Sequence, residues 1–256
     1  MEDLLQKIVN NTEPKRSFQV IVSGNTTRIK TKFNPPIQLD KSKSYEMALV
    51  NLETYYSFPN IDSTNNVFRY SHDNGTTWTD ILIPEGSYDV TDLNDTIKSK
   101  MHQNKHYDAI NDTYYITITA NPNTLRSVLT IQKSYRVDFT VANSVRSILG
   151  FKSKIYTATY NESEQVVNIL SINSILVNSD IITGSFVNGS STTTIYSFFP
   201  NVSPGYKIIE IPKNLVYLPL TMDTINRLET LLTDQDGNQL NLRGELLNVR
   251  FHIREI

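Results

Sequence analysis

The sequence predicts an all-β protein: a single jelly-roll β-sandwich with two short helices and a polar insertion. Apolar and polar residues alternate with a period of two along the whole chain, helical periodicity is confined to two short stretches, and turn-forming residues separate the alternating stretches. The 256 residues suit one large β domain. We therefore expect an N-terminal arm at residues 1–16 and one jelly-roll domain at residues 17–256.

Four strands in the first part of the chain are predicted from runs rich in β-branched and aromatic residues. These runs lie at residues 18–22, 26–33, 67–71 and 77–83. Asp73-Asn74-Gly75 tolerates positive φ and predicts a hairpin turn between the last two strands, and Trp78 is expected to be a large buried anchor in the returning strand.

A fifth strand, residues 45–52, differs because both of its faces are apolar. The two faces carry different sets of side chains: Tyr45, Met47 and Leu49 against Ala48, Val50 and Leu52. Only one face of a sandwich strand meets its own core, so the other must be covered by an appended helix, a long loop or another subunit. Cover by sister copies in a closed ring makes self-association plausible, and the helix near residues 90–103 is the alternative cover.

Two helices interrupt the strands. Asp89 or Thr91 can cap the first, whose apolar side chains recur every four residues and should pack flat on a sheet: Leu93, Ile97 and Met101. The second spans residues 144–149 and stops at Gly150 in the C′ position. Its inward side chains are Val145 and Ile148.

The second part of the chain returns to strands. They are predicted at residues 114–119, 125–131, 135–141, 166–177, 192–199, 206–211, 224–232 and 247–253. Within this part, Ser, Thr and Asn dominate residues 152–204 and charged residues are few. Such polar sequence suits exposed loops or an insertion, which could be a contact surface or merely a tolerant one.

Composition excludes several classes of protein. Lys and Arg number 24 against 26 Asp and Glu, so there is no basic excess for binding nucleic acid over the whole surface, and nucleic acid is not an expected partner. The absence of Cys excludes disulfides, thiolate nucleophiles and cysteine-ligated metals. The sequence contains no apolar run long enough for a membrane span, and the start of the chain lacks a signal-peptide pattern.

Histidine offers little catalytic chemistry. His102 and His106 have the i, i+4 spacing that could hold one metal on a helix, but no third ligand accompanies them, and a fraying polar helix end is the simpler interpretation. His252 alternates outward on the last predicted strand. We therefore expect no metal-binding residue.

Other chemical motifs are equally weak. Asp234-X-Asp236-Gly237 is similar to part of a calcium loop, but Leu232 would occupy the first ligand position, so a hairpin turn is favoured. Nucleophile-elbow, phosphate-loop and dinucleotide-binding glycine motifs are missing, and no carboxylate pair is singled out. The expectation is a protein that is not an enzyme, with no catalytic or cofactor-binding residue, no cofactor and no small-molecule substrate.

Two stretches of the sequence resemble a known family. They are FRYSHDNGTTWTDILIPEGSYDVTDLNDTI at residues 68–97 and INRLETLLTDQDGNQLNLRGELLNVRFHIRE at residues 225–255. Both resemble the minor capsid (penton) proteins of Polinton/Maverick elements, adintoviruses and related eukaryotic DNA viruses. The shared motifs are structural, and residues 152–204 have no match in the family pattern.

The resemblance implies a single jelly roll that assembles as a homopentamer at the vertices of an icosahedral capsid. The expected partners are sister copies and neighbouring major capsid protein capsomers, and the expected location is the virion, after assembly inside the host cell. The β-sandwich pattern also leaves open a lectin-like or tumour-necrosis-factor-like recognition module, which would be trimeric. A metal enzyme is a third hypothesis, which metal analysis of the purified protein would test.

Overall fold

The computed structural model describes residues 15–169 and 172–256, so most of the predicted arm at residues 1–16 lies outside the described residues. The chain divides into two compact units. Unit 1 combines residues 15–57 with residues 172–256, and unit 2 comprises residues 58–169. Unit 2 is therefore inserted into the sequence of unit 1. The strands and helices of both units fall within residues 17–256, whose organisation as one domain stays a prediction.

The described residues form strands and two helices. In chain order the strands are β1 (Ser17–Gly24), β2 (Arg28–Gln38), β3 (Tyr45–Tyr55), β4 (Val67–Ser71), β5 (Thr79–Leu82), β6 (Ile116–Asn121), β7 (Arg126–Ile131), β8 (Arg136–Asp138), β9 (Ile155–Tyr156), β10 (Tyr160–Glu162), β11 (Ile175–Ser179), β12 (Ser185–Val187), β13 (Ser190–Thr192), β14 (Thr194–Phe198), β15 (Lys207–Glu210), β16 (Leu218–Pro219), β17 (Thr224–Thr233) and β18 (Leu247–Glu255). The helices are α1 (Val90–Gln103) and α2 (Arg146–Leu149).

Unit 1 is built from two antiparallel sheets. Sheet A has the strand order β1-β18-β3-β15, with β16 also paired to β3, and sheet B has the order β14-β11-β17-β2. The main strands form pairs nested from the chain ends inward: β1 with β18, β2 with β17, β3 with β15, and β11 with β14. Successive pairs alternate between the two sheets, which is the strand order of a jelly roll. The predicted fold class is thereby confirmed.

The core of unit 1 follows directly from the alternation in its strands. In β18, four alternate side chains are fully buried: Leu247, Val249, Phe251 and Ile253. The residues between them are polar or charged and remain partly exposed, as the sequence pattern predicts. One apolar face per strand is enough to build the interior of a sandwich.

The doubly apolar pattern of β3 has a local explanation. The register between β3 and β18 shifts at Val50, because Phe251 lies opposite Leu49 whereas Arg250 lies opposite Asn51. This β-bulge inserts one residue, so the buried positions change from odd to even numbers along the strand. They are Tyr45, Met47 and Leu49 before the bulge, and Leu52 and Thr54 after it. Most of the apolar run is therefore a single core face.

The chain itself covers Ala48, an apolar residue of β3 that lies outside this core face. Ala48 is buried and lies opposite His252, and Tyr217 packs against the ring of His252. Of the covers that the sequence left open, the one observed is a segment of the same chain. Cover by sister copies was the wrong interpretation of residues 45–52, so these residues do not indicate self-association.

Unit 2 has two small sheets and its own apolar core. The strand orders are β5-β4-β8-β9 and β10-β7-β6. The core combines side chains from both sheets and from both helices, among them Phe68, Phe139 and Leu149. Edge-to-face aromatic contact, such as that between Phe68 and Phe139 at 5.9 Å, contributes beyond simple burial.

Helix α1 forms as its sequence predicts. The Asp89 side chain accepts a hydrogen bond from the Asp92 N–H, and the Asp92 side chain accepts one from the Asp89 N–H, which completes a capping box. The predicted stripe of Leu93, Ile97 and Met101 is buried. The buried Asn94 side chain accepts a hydrogen bond from the Ile118 N–H at 2.9 Å, which ties α1 to β6.

The predicted second helix and the hairpin turn are also observed, whereas the role expected of Trp78 is not. Helix α2 ends at Gly150 with φ 80°, and the turn before Trp78 has positive φ at Asn74 and Gly75. Trp78 is only half-buried and precedes β5. A Cβ added at Gly75 would lie 3.5 Å from the Trp78 ring, so the indole lies beside the turn and does not enter the core.

Residues 152–204 comprise the end of unit 2 and the first strands of the second segment of unit 1, which begins at residue 172. Strands β11 and β14 belong to sheet B of the jelly roll, and Ile175 and Val177 are fully buried. The hairpin β12-β13 is polar, with Phe186 largely exposed. Asn188 and Gly189 at its tip both have positive φ, as a two-residue hairpin turn requires.

Candidate self-association surface

The outer edge of sheet A carries a row of exposed apolar side chains. Residues 206–219 run antiparallel to β3, since β15 pairs with the end of that strand and β16 with its beginning. Six side chains along this edge are between 40% and 67% exposed. We call them the edge stripe: Tyr55, Tyr206, Ile209, Ile211, Leu215 and Val216.

In the β15 part of the stripe, strand alternation directs Ile209 outward, and polar contacts of Lys207 and Glu210 hold the strand in place. Ile208 is buried, so its neighbour Ile209 must point away from the core. The Lys207 ammonium lies 2.7 Å from a carboxylate oxygen of Glu53 on β3, and this pairing holds the pKa of Glu53 below its usual range. The Tyr196 hydroxyl donates to the Glu210 carboxylate at 2.8 Å. Burial, with a further contribution from that bond, raises the pKa of Tyr196 to about 12.

Tyr217 holds the second part of the stripe in place. Its hydroxyl is 2.8 Å from Nδ1 of His252, and the Cζ atom of Arg254 lies 3.5 Å from the centre of its ring. The Arg254 side chain also donates to the Glu46 carboxylate at 2.6 Å. Tyr217 thus fixes the segment over sheet A by cation–π and hydrogen-bond contacts, which leaves Leu215 and Val216 exposed beside it.

The opposite edge of sheet A differs in character. Strand β1 forms this edge and exposes one large apolar side chain, Ile21, which is 54% accessible. The segment that forms β1 and β2 contains five basic residues and no acidic residue between positions 15 and 39: Lys15, Arg16, Arg28, Lys30 and Lys32. Arg28 and Lys30 both approach the carboxylate of Glu229, within 3.2 Å. Two carboxylates contact this segment, since Glu229 pairs with Arg28 and Lys30 and Glu255 accepts a hydrogen bond from the Arg16 N–H. Five basic residues against two carboxylates leave the β1–β2 side with a net positive charge.

The four histidines do not form one site. His102 stacks on Tyr107 at 4.3 Å, His252 contacts Tyr217, and His72 and His106 stack on each other with ring centres 4.0 Å apart. In the described ranges 15–169 and 172–256, no three His, Asp or Glu side chains are close enough to share a metal ion. His102 and His106 thus stack on different rings, those of Tyr107 and His72.

The Asp234 loop is a turn held by its own carboxylate. Oδ1 of Asp234 accepts hydrogen bonds from the backbone N–H groups of Asp236 and Asn238, at 2.9 and 2.8 Å. Gly237 has φ 84°, as expected for the tight turn predicted from the sequence.

None of the helices in the part of the chain that the structure describes is long and apolar enough to cross a membrane.

The edge stripe is a candidate contact surface that the strand pattern of the sequence does not reveal. Residues 206–211 were predicted as a strand, but an isolated strand pattern does not show which face meets a partner sheet. The available signal was the density of large apolar residues across positions 206–216, which exceeds what one buried face needs.

No protein-family model matches the sequence, and no curated protein matches it. Among solved structures, the chain is similar to selenomethionine-labelled mavirus penton protein, with 12% sequence identity and a TM-score of 0.49. That likeness covers 95% of this chain and 100% of the mavirus chain.

Proposed function

We propose that this protein is a minor capsid (penton) subunit, one jelly-roll protomer of a homopentameric capsomer at the vertex of an icosahedral virus capsid. It acts by binding sister copies and by docking onto neighbouring major capsid protein capsomers. The role needs no catalysis, cofactor or small-molecule substrate. The protein would be located in the virion after assembly in the host cell.

The observation that carries the proposal is the edge stripe on a jelly-roll sandwich. The largest apolar patch on a typical monomer is about 300–600 Å², and such a patch is often a functional contact surface. Here the exposed apolar side chains lie along one sheet edge, where a neighbouring copy can approach sideways. The sequence resemblance of residues 68–97 and 225–255 to penton proteins supports the same role.

Native mass spectrometry of the purified chain tests the proposal. We expect a pentamer of the 29.2 kDa chain at micromolar concentration. Trimers would favour the lectin-like or tumour-necrosis-factor-like alternative, because subunit number follows the symmetry of the assembly. A chain that stays monomeric at the highest attainable concentration would contradict the proposal.

A further inference from the structure

Sheet A is open at both of its edges within the described residues. Strand β1 pairs only with β18, and β15 pairs only with β3. The backbone groups on their far sides therefore lack a strand partner, and both edges expose large apolar side chains: Ile21 at one edge, and the edge stripe at the other. Edges of this kind are templates for contact with another chain.

The size of the edge stripe matches the apolar share of one ordinary subunit interface. A buried aromatic side chain covers about 150–250 Å² and a buried aliphatic side chain removes roughly 100 Å² from water, so the partly exposed stripe presents on the order of 400 Å² of apolar surface. Each partner in a standard interface contributes roughly 800 Å², of which about 57% is apolar. One contact with a second copy would therefore cover the stripe.

Charge determines which surface of the second copy can approach. Contact between two β1–β2 sides would bring their basic residues together, and this repulsion disfavours a symmetric contact there. The stripe side has no such excess, because the basic residues of positions 206–219, Lys207 and Lys213, are matched in number by two acidic ones. These are Glu210 in the same segment and Glu53, which pairs with Lys207. A contact between unlike edges avoids the repulsion and places an apolar side chain against the stripe.

Building on the proposed function, we infer that the edge stripe of one copy packs against the β1 edge of the next copy, with Ile21 inserted among the stripe residues. Such a head-to-tail contact uses two different surfaces of each subunit, so it repeats from copy to copy and closes into a ring when the rotation allows. A stripe-to-stripe contact would instead stop at a dimer.

Two single variants and their mixture test this arrangement. Ile209→Glu damages only the stripe, and Ile21→Glu damages only the β1 edge; each should weaken self-association about 100-fold or more, as expected for central apolar contacts. Each variant keeps one intact edge. An equimolar mixture should therefore form a 1:1 heterodimer by native mass spectrometry, although neither variant associates alone.

Controls separate failure of the contact from failure to fold. Leu82→Glu, at an exposed apolar position of unit 2, should leave assembly unchanged. Thermal melts and circular dichroism check each variant, and the neutral substitutions Ile209→Gln and Ile21→Gln repeat the test without adding a charge.

The outcomes distinguish this inference from the proposed function. If the wild type is pentameric and both Ile209→Glu and Ile21→Glu still assemble, the assigned contact surfaces are wrong. The proposed capsid function would not be contradicted by that result. Loss of assembly in Ile209→Glu alone, with Ile21→Glu unaffected, would show a stripe-to-stripe contact and would also overturn the inference. A monomeric wild type would contradict the proposed function itself.

Discussion

At the scale of single residues, Leu125 is the only apolar side chain among the described non-glycine residues with positive φ. It lies in the loop between β6 and β7 with φ 55°, in the left-handed region, and its side chain is 66% exposed. Its carbonyl accepts a hydrogen bond from the Val167 N–H at 2.9 Å, which holds the backbone in place. The left-handed conformation costs roughly 1–2 kcal/mol for an ordinary residue, and here little side-chain burial offsets this cost.

Replacing Leu125 with asparagine should stabilise the protein. Asn tolerates the left-handed region, so we expect Leu125→Asn to raise the free energy of unfolding by about 0.5–1 kcal/mol. Urea denaturation followed by circular dichroism measures the change. Ile110→Asn is the matched control, because Ile110 is even more exposed but is not among the positive-φ residues, and it should show no gain. An unchanged or lowered stability in Leu125→Asn would contradict the argument.

At the scale of elements, the end of α1 is held to the sheet beneath it by polar aromatic contacts. Asn104 donates to the Tyr70 hydroxyl at 3.2 Å, and that hydroxyl lies 2.8 Å from Nδ1 of His106. The His106 ring stacks on His72, whose buried Nδ1 has no hydrogen-bond partner. A neutral imidazole at His106 fits this arrangement, because its Nδ1 can then accept from Tyr70.

The stability of unit 2 should fall as the pH falls through about 6.5, the ordinary pKa of histidine. Burial, together with the nearby His72, lowers the pKa of His106, and the carboxylate of Asp73 opposes this only in part. Below pH 6.5 the unfolded chain therefore binds a proton that the folded chain takes up only at lower pH, so protons favour unfolding. The thermal midpoint should decrease from pH 7.5 to pH 5.5.

The His106→Gln variant is the control for this pH dependence. Because it removes the titrating group, its midpoint should change less than that of the wild type between the same two pH values, whatever its absolute stability. Equal slopes for the two proteins would show that other groups are responsible.

Elements with a local cause could be predicted from the sequence, and those that depend on a distant partner could not. The α1 stripe and the alternation of β18 are properties of one segment, and both are observed. The bulge at Val50 exists only in the register between β3 and β18, which are far apart in sequence, so the pattern of residues 45–52 suggested two apolar faces. The edge stripe was missed for the same reason, since exposure depends on which strands become neighbours.

At the scale of the whole molecule, the division into units was hidden because both units are rich in strands. No change in composition marks residues 57 and 58, where unit 1 gives way to unit 2. The polar stretch at residues 152–204 suggested an insertion at another place, yet it contains β11 and β14 of the jelly roll. Both strands of every jelly-roll pair belong to unit 1, and unit 2 has an apolar core of its own.

Unit 1 should therefore fold without unit 2. A chain in which a short Gly/Ser linker replaces residues 58–171 should keep a β-type circular dichroism spectrum and a single cooperative thermal transition. A control that instead removes residues 172–199, and with them β11 and β14, should lose that transition because sheet B is broken. Absence of a transition in the first deletion would show that the jelly roll requires unit 2.

The nesting of the jelly-roll pairs also determines which parts of the chain can fold during translation. Strand β1 pairs with β18, so the first described strand cannot pair until the last described strand has been translated. Hairpins such as β4-β5 and β6-β7 can form as soon as both of their strands have left the ribosome. Unit 2 is therefore expected to acquire structure co-translationally, while β1, β2 and β3 remain without their partners. Until β15, β17 and β18 have been translated, those strands are vulnerable to aggregation, and we expect chaperones to bind mainly at that stage.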